Sequence, residues 1–222
     1  MSITIAKLYT KIILKLVLVP LVSLLTICIV GCFATQKSNL IISASPSTAA
    51  DGLVYFSDAA GTIHALQSDG QTLWQYSLTD DRREQQKEAI GEIRIDRLFA
   101  RSDKKLYALA RIETGAKAGN MLLFALADKR LLWFTDAPQP EPDGTPVAIG
   151  DNALFLAGKD GKLYAFARDD GRVLWTYQVS MGKIGSPSLG ADGLIYITGA
   201  RHNLHAVDSD GKQRWTVETN PQ

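Results

Sequence analysis

A repeated unit of sequence limits what this chain can fold into more than any other feature. Residues 151–179 read DNALFLAGKDGKLYAFARDDGRVLWTYQV, and residues 51–78 and 191–219 follow the same pattern. A looser copy occupies residues 106–135. The four tryptophans, Trp74, Trp133, Trp175 and Trp215, fall at one point of the unit and are 59, 42 and 40 residues apart. The chain is therefore predicted to fold as a row of similar units.

Each unit has the composition of a small antiparallel sheet. Short runs of β-branched and aromatic residues, such as 194–198, are bounded by Gly and Asp, which is typical of strands. A later strand carries a small Ala between larger residues, where a neighbouring sheet can approach closely. Asp-Gly turns follow in three copies, at Gly70, Gly171 and Gly211, and Gly accepts the positive φ of a tight hairpin. The remaining copy has Asp128-Lys129-Arg130 and needs a different turn.

Several short strands in a unit of about 40–45 residues are typical of a propeller blade. We therefore predict an all-β fold, a partial or small β-propeller of about four four-stranded antiparallel blades. The blades are expected near residues 40–78, 90–136, 146–180 and 183–219. One Trp per blade at a fixed strand position predicts packing between blades and not a ligand-stacking set. The charged stretch 80–88 is interpreted as a solvated loop, with a docking loop as the alternative.

The first 31 residues are predicted to be a lipoprotein signal peptide, followed by a tether over residues 32–39. Lys7, Lys11 and Lys15 precede an apolar run over residues 16–30, which is shorter than the ~20 residues of a membrane-spanning helix. The run ends in Ile-Val-Gly-Cys, which resembles the bacterial lipobox. That resemblance implies acylation of Cys32, including palmitate, while an uncleaved membrane anchor is the alternative. The resemblance to bacterial lipoproteins also implies sorting to the outer membrane, facing the periplasm, because Asp does not follow Cys32.

Charge and cysteine content argue against a nucleic-acid-binding protein and against a protein stabilised by disulfides. Removing the signal lowers Lys+Arg from 24 to 21 against 23 Asp+Glu, and this balance does not favour a nucleic-acid partner, which needs a basic face. Cys28 leaves with the signal and Cys32 is then the remaining cysteine. No intramolecular disulfide is expected, so stability must come from burial.

The repeats resemble the quinoprotein-type, or PQQ-like, β-propeller repeat. The segment from Gly171 to Trp175, with Ala165 and Asp169, fits that repeat best, and Gly70–Trp74 and Gly211–Trp215 fit with a shorter interval. A lipoprotein made of these repeats resembles the BamB-like proteins of outer-membrane β-barrel assembly. The resemblance implies a protein-binding scaffold. Those relatives have eight blades and this sequence has about four.

An open series of about four blades leaves apolar faces that a closed ring would cover. The sequence leaves three outcomes open: closure by a second copy, docking on another protein, or tightening into a four-bladed ring. We favour an open arc that needs a partner. A half-propeller that works only as a homodimer remains an alternative.

Catalysis is not expected. Quinoprotein dehydrogenases share the repeat and bind pyrroloquinoline quinone with calcium, and that resemblance implies an adjacent cysteine pair that this chain does not have. His64 and His205 occupy a position that other blades fill with Phe124 or Tyr164, which favours packing. His202 and His205 have no third ligand at a familiar spacing, so no metal site is predicted. No cofactor is predicted either, and a PQQ-binding or other ligand-binding propeller is kept as the alternative.

Overall fold

Four antiparallel sheets of four strands each make up the described part of the chain. The computed structural model describes residues 42–49, 52–84, 91–101, 103–140, 147–200 and 203–218, all of them within one compact unit, Ile41–Gln222. Strands that follow one another along the chain pair side by side within each sheet. We call the four sheets blades 1 to 4, in chain order.

The strands have the following bounds. Blade 1 contains β1 (Ile42–Thr48), β2 (Val54–Asp58), β3 (Thr62–Leu66) and β4 (Thr72–Ser77), and blade 2 contains β5 (Ile93–Ala100), β6 (Lys105–Ile112), β7 (Met121–Ala127) and β8 (Arg130–Ala137). Blade 3 contains β9 (Val147–Ile149), β10 (Ala153–Ala157), β11 (Lys162–Ala167) and β12 (Val173–Gln178), and blade 4 contains β13 (Ser188–Leu189), β14 (Ile195–Thr198), β15 (Asn203–Val207) and β16 (Gln213–Glu218).

The predicted fold class is confirmed, because the described chain is an all-β partial propeller of four four-stranded blades. Each blade packs its apolar face on the next, in three buried clusters. The first joins blades 1 and 2 and includes Ile63 and Phe124. The second joins blades 2 and 3 around Leu123, and the third joins blades 3 and 4 around Phe155. Within the described residues no such cluster joins blade 4 to blade 1.

Blade 2 is the most deeply buried sheet, and it has a neighbouring blade on both faces. Five consecutive residues of β6 and six of β7 are buried. Blade 4 shows the opposite pattern on its last strand, since all six residues of β16 are exposed. The inner strands of blade 2 are therefore covered on both faces, whereas the last strand of blade 4 is open to solvent.

The charged stretch after blade 1 forms a helix in its first part, and the loop interpretation is wrong there. Helix α1 spans Leu78–Glu84, while residues 85–88 lie outside the described part. Ser77 Oγ accepts the N–H of Asp80 at 3.2 Å, and Asp80 and Asp81 lie in the first turn, where carboxylates favour a helix N-terminus. Arg82 lies over the Phe134 ring of blade 2, 5.0 Å from its centroid. The helix thereby contacts the next blade.

The hairpin between β7 and β8 differs from its counterparts, as the missing glycine predicts. Its two loop residues, Asp128 and Lys129, have φ values of 47° and 65°. A two-residue hairpin turn of this kind needs positive φ at both central positions, and here two non-glycine residues adopt it. The turn is consequently shorter than the Asp-Gly turns of blades 1, 3 and 4.

Candidate functional site

The same row of side chains crosses every blade. It positions one tryptophan on the fourth strand of each blade, facing the blade that follows. A buried Ala on the third strand lies opposite the Trp of the fourth strand, and a β-bulge follows this pair in each blade; the pairs are Ala65–Trp74, Ala125–Trp133, Ala165–Trp175 and Ala206–Trp215. An aromatic residue on the second strand packs against each indole, with ring centroids 5.7–6.2 Å apart. The sequence analysis did not single out this aromatic residue. In blades 1, 3 and 4 it lies ten residues before the Ala of the third strand, and that interval was the available signal.

At the junction between blades 2 and 3, Trp133 is enclosed by the turn of the following blade. Its Nε1 donates to the carbonyl oxygen of Arg168 at 2.9 Å, and only 8% of the residue is exposed. A Cβ added to Gly171 would overlap the six-membered ring of this indole. Only glycine can therefore place the turn so close to the ring.

The junction between blades 3 and 4 repeats this arrangement. Trp175 Nε1 donates to the carbonyl oxygen of Ser209 at 2.8 Å, and a Cβ added to Gly211 would lie 2.6 Å from Cδ2 of Trp175. Two junctions thus share one contact, in which an indole N–H binds a turn carbonyl and a turn glycine packs on the ring.

The junction between blades 1 and 2 lacks this contact. The short turn at Asp128 and Lys129 brings no glycine to Trp74, and no hydrogen bond joins Trp74 Nε1 to any residue within the described ranges. A cleft of about 540 Å³ lies there instead, and its lining includes Tyr55, Trp74 and Leu126 with Lys104 and Lys129. We call it the Trp74 cleft.

Blade 4 has no following blade within the described chain, and its outward face is apolar. Trp215 is 39% exposed and Val217 is 49% exposed. Leu204 lies opposite Val217 in the sheet, and the Tyr196 ring lies 5.7 Å from that of Trp215. These four residues define the blade 4 face. Gly70, in the turn of blade 1, likewise has nothing within 4 Å of the position of a Cβ.

Arg168 is a buried cation that the sequence analysis missed, and it joins blades 2 and 3. Its Nε donates to the Tyr107 hydroxyl at 2.9 Å, and its NH1 donates to the carbonyl oxygens of Gly150, at 3.1 Å, and Asp151. NH2 pairs with the Asp103 carboxylate, and the guanidinium lies over the Tyr107 ring. A cation 8% exposed needs such partners. No residue pattern distinguishes it from an exposed turn Arg.

The two described histidines contact neighbours within and between blades. His64 stacks on Phe56 with ring centroids 4.7 Å apart, and its Nε2 lies 2.9 Å from Asp58 Oδ2. His205 Nδ1 lies 3.0 Å from the Tyr177 hydroxyl of blade 3. Burial lowers the pKa of His205, since the charged imidazole would lose its hydration.

Some predicted residues cannot be placed. Cys32 and His202 lie outside the described residues, as does the signal peptide. In the part of the chain that is described, no group of three His, Cys, Asp or Glu residues could hold a metal ion. Over the same residues no helix has the length and apolar character needed to span a membrane.

A family model described as "Outer membrane protein assembly factor BamB" matches residues 34–177 and again residues 117–222. The comparison with curated proteins gives no match.

Two solved structures show a similar fold. A protein of unknown function from Bacteroides caccae has a TM-score of 0.52 at 11% identity, over 82% of this chain and 62% of that one. Quinohemoprotein alcohol dehydrogenase from Comamonas testosteroni has a TM-score of 0.52 at 16% identity, over 81% of this chain and 35% of that one. This chain therefore spans less than two thirds of either structure, and at such identity the likeness shows the fold alone.

Proposed function

The chain belongs to the PQQ-like repeat family whose model is described as outer membrane protein assembly factor BamB, and on that premise we propose that it is a protein-binding scaffold and not an enzyme. In this proposal Cys32 carries the lipid, the blades face the periplasm from the outer membrane, and the partner is the machinery that assembles outer-membrane β-barrel proteins.

The observation that carries the proposal is the exposed apolar face of blade 4. Trp215 and Val217 are 39% and 49% exposed, whereas Trp133 at an occupied junction is 8% exposed. Aromatic residues are enriched where proteins bind one another, and a contiguous apolar face on a soluble domain marks an interaction site. The blade 4 face therefore supports a role in binding a protein.

The buried polar side chains support the same role. Arg168 bonds to the backbone of its own blade and to Tyr107 and Asp103 of the preceding blade, and His205 bonds to Tyr177 of blade 3. These groups contribute to packing between blades, and the contacts they make are those of a structural network. The likeness to the alcohol dehydrogenase concerns the fold alone and adds no support for quinone chemistry.

A second candidate function, closure by a second copy, is favoured by one specific observation. Among the described residues no turn of a following blade covers Trp215, and a Cβ added to Gly70 would have nothing within 4 Å. Gly70 holds the place in blade 1 that Gly171 and Gly211 hold at the two occupied junctions. In a homodimer Trp215 of one protomer would pack on the turn at Gly70 of its partner, and four blades from each would give a ring of eight, within the usual ~4–8.

Photo-crosslinking in the source organism tests both candidates. A photoreactive amino acid replaces Val217, and in a matched control it replaces Val173, which is 50% exposed on blade 3. The scaffold proposal expects an adduct from position 217, but not from 173, with a subunit of the β-barrel assembly machinery. An adduct of two copies of this chain would support the homodimer instead. If position 217 gives no more adduct than position 173, both candidates fail at this face.

Membrane fractionation tests the anchor in the same cells. The unaltered protein is expected in the outer-membrane fraction, and Cys32→Ser is expected to remain outside it because no acyl chain can be attached. A Cys32→Ser variant that still fractionates with the outer membrane would contradict the lipid anchor.

A further inference from the structure

The two occupied junctions show what a junction tryptophan binds in this protein. Each indole N–H reaches a turn carbonyl, at 2.9 Å for Trp133 and 2.8 Å for Trp175. Each ring also packs against the glycine of that turn, so closely that a Cβ would collide with it. The complement of a junction indole is therefore a tight glycine turn that offers a backbone carbonyl.

Trp74 has the same strand position but not this complement. It lies opposite Ala65 and packs on Tyr55, as its counterparts do on theirs. The turn of blade 2 that should cover it has two residues, Asp128 and Lys129, and it leaves the Trp74 cleft of about 540 Å³. The cleft thus lies where an occupied junction holds a turn.

The charges at the rim of the cleft identify the kind of turn that fits. Lys104 and Lys129 line it and are exposed, with Asp128 as the single acidic residue of the lining. Lys105, next to Lys104, already pairs with Asp169 in the turn of blade 3 at 3.2 Å. A lysine of this same β5–β6 hairpin therefore binds a carboxylate on a glycine turn within the molecule.

We propose that the Trp74 cleft binds an acidic glycine turn of a partner protein. The turn carbonyl accepts the N–H of Trp74, the glycine packs on the indole, and the acidic side chain lies between Lys104 and Lys129. This inference deepens the proposed scaffold function, on which it rests, because it names the structural element that the scaffold recognises. The proposed partner turn has an acidic residue followed by glycine, as do the chain's own turns at residues 169–171 and 209–211.

The probe is a cyclised hairpin peptide that carries the turn Ser-Asp-Gly, as in residues 209–211, titrated by calorimetry into the full-length protein in detergent. We expect saturable binding that weakens about 5-fold in Trp74→Phe, because the N–H donor is lost while an aromatic ring remains. Replacing the peptide's Gly by Ala is expected to abolish binding, since the added Cβ would meet the indole.

A charge swap between the protein and the peptide distinguishes a loss of binding from a loss of folding. Lys129→Glu changes an exposed residue, and it is expected to weaken binding of the peptide with Asp at low salt. A peptide with Lys in place of that Asp is expected to bind the Lys129→Glu variant again. Near-ultraviolet circular dichroism checks that each variant keeps its tertiary structure. Binding that is unchanged by both Trp74→Phe and Lys129→Glu overturns the proposal, as does no binding at all.

A matched variant separates this site from the blade 4 face. Trp215→Phe is expected to leave unchanged the binding that depends on Trp74 and Lys129, because Trp215 does not line the Trp74 cleft. A loss of affinity in Trp215→Phe but not in Trp74→Phe would overturn the assignment to the cleft. If the peptide does not bind, the proposal for the cleft is wrong, but the scaffold function is still tested by the crosslink from position 217. The two proposals can therefore fail separately.

Discussion

At the scale of single residues, equivalent positions in different blades make different contacts. The residue that follows the third strand is Arg168 in blade 3 and Asp208 in blade 4. Arg168 reaches across to Tyr107 and Asp103 of blade 2. Asp208 turns back on its own hairpin, where its Oδ1 accepts the N–H groups of Asp210 and Lys212 at 3.0 and 2.9 Å. These bonds lower the pKa of Asp208, since they favour the charged carboxylate.

Replacing Arg168 with Lys is expected to lower the free energy of unfolding by about 2–3 kcal/mol, because one ammonium cannot replace a guanidinium that binds a hydroxyl, two carbonyls and a carboxylate. Urea denaturation measures the change. Arg172→Lys is the control, since that side chain is 72% exposed, and its effect is expected to stay within about 0.5 kcal/mol. Equal effects of the two substitutions would show that the buried network adds no stability.

At the scale of elements, the hairpin between the third and fourth strands decides how each junction is filled. Gly70 and Gly171 share a left-handed conformation, with φ of 84° and 73°. They differ in their surroundings, because Gly171 faces the Trp133 ring while Gly70 has nothing within 4 Å of a Cβ position. The same turn therefore serves as a packing surface in blade 3 and as an exposed hairpin in blade 1.

An alanine substitution at each position separates backbone strain from packing. Gly70→Ala is expected to cost about 1–2 kcal/mol, the penalty of the left-handed conformation alone. Gly171→Ala adds a collision with Trp133 and is expected to cost at least about 1 kcal/mol more. Chemical denaturation with a tryptophan fluorescence readout measures both. A Gly171→Ala variant no less stable than Gly70→Ala would contradict the close packing at this junction.

At the scale of the whole described unit, stability depends on contacts between successive blades. The three buried clusters join blades 1 and 2, 2 and 3, and 3 and 4. Blade 2 has neighbours on both faces, while β16 of blade 4 is exposed throughout. In repeat architectures, stability is approximately a sum of unit and nearest-neighbour terms, so an outer blade is expected to open before an inner one.

Amide hydrogen exchange followed by mass spectrometry should show this gradient. The amides of β6 and β7 are expected to exchange slowest, because their opening must expose buried residues on both faces of blade 2. Those of β16 are expected to exchange fastest among the strands. Equal protection of β7 and β16 would contradict a nearest-neighbour arrangement and would indicate that the blade 4 face is covered in solution.

Local sequence patterns are enough to predict the repeat, and through it the all-β class and the four-stranded blades. Strand patterns and the small Ala are local signals that recur at similar spacing before all four tryptophans, and the Gly turn recurs before Trp74, Trp175 and Trp215. The different turn of blade 2 was also predictable, because the missing glycine at Asp128-Lys129 is visible in the sequence. The helix at Leu78–Glu84 was not, since a short charged segment suits a loop equally well.

Which junctions are filled depends on how neighbouring blades pack, and no local pattern predicts it. The sequence places a similar tryptophan in every blade, but the acceptor and the glycine that enclose it come from the next blade, about 35 residues later at the two occupied junctions. The burial of Arg168 between two blades and the cleft at Trp74 depend on that long-range fit. Local patterns specify strands and turns, whereas the space between two sheets is set by how both of them pack.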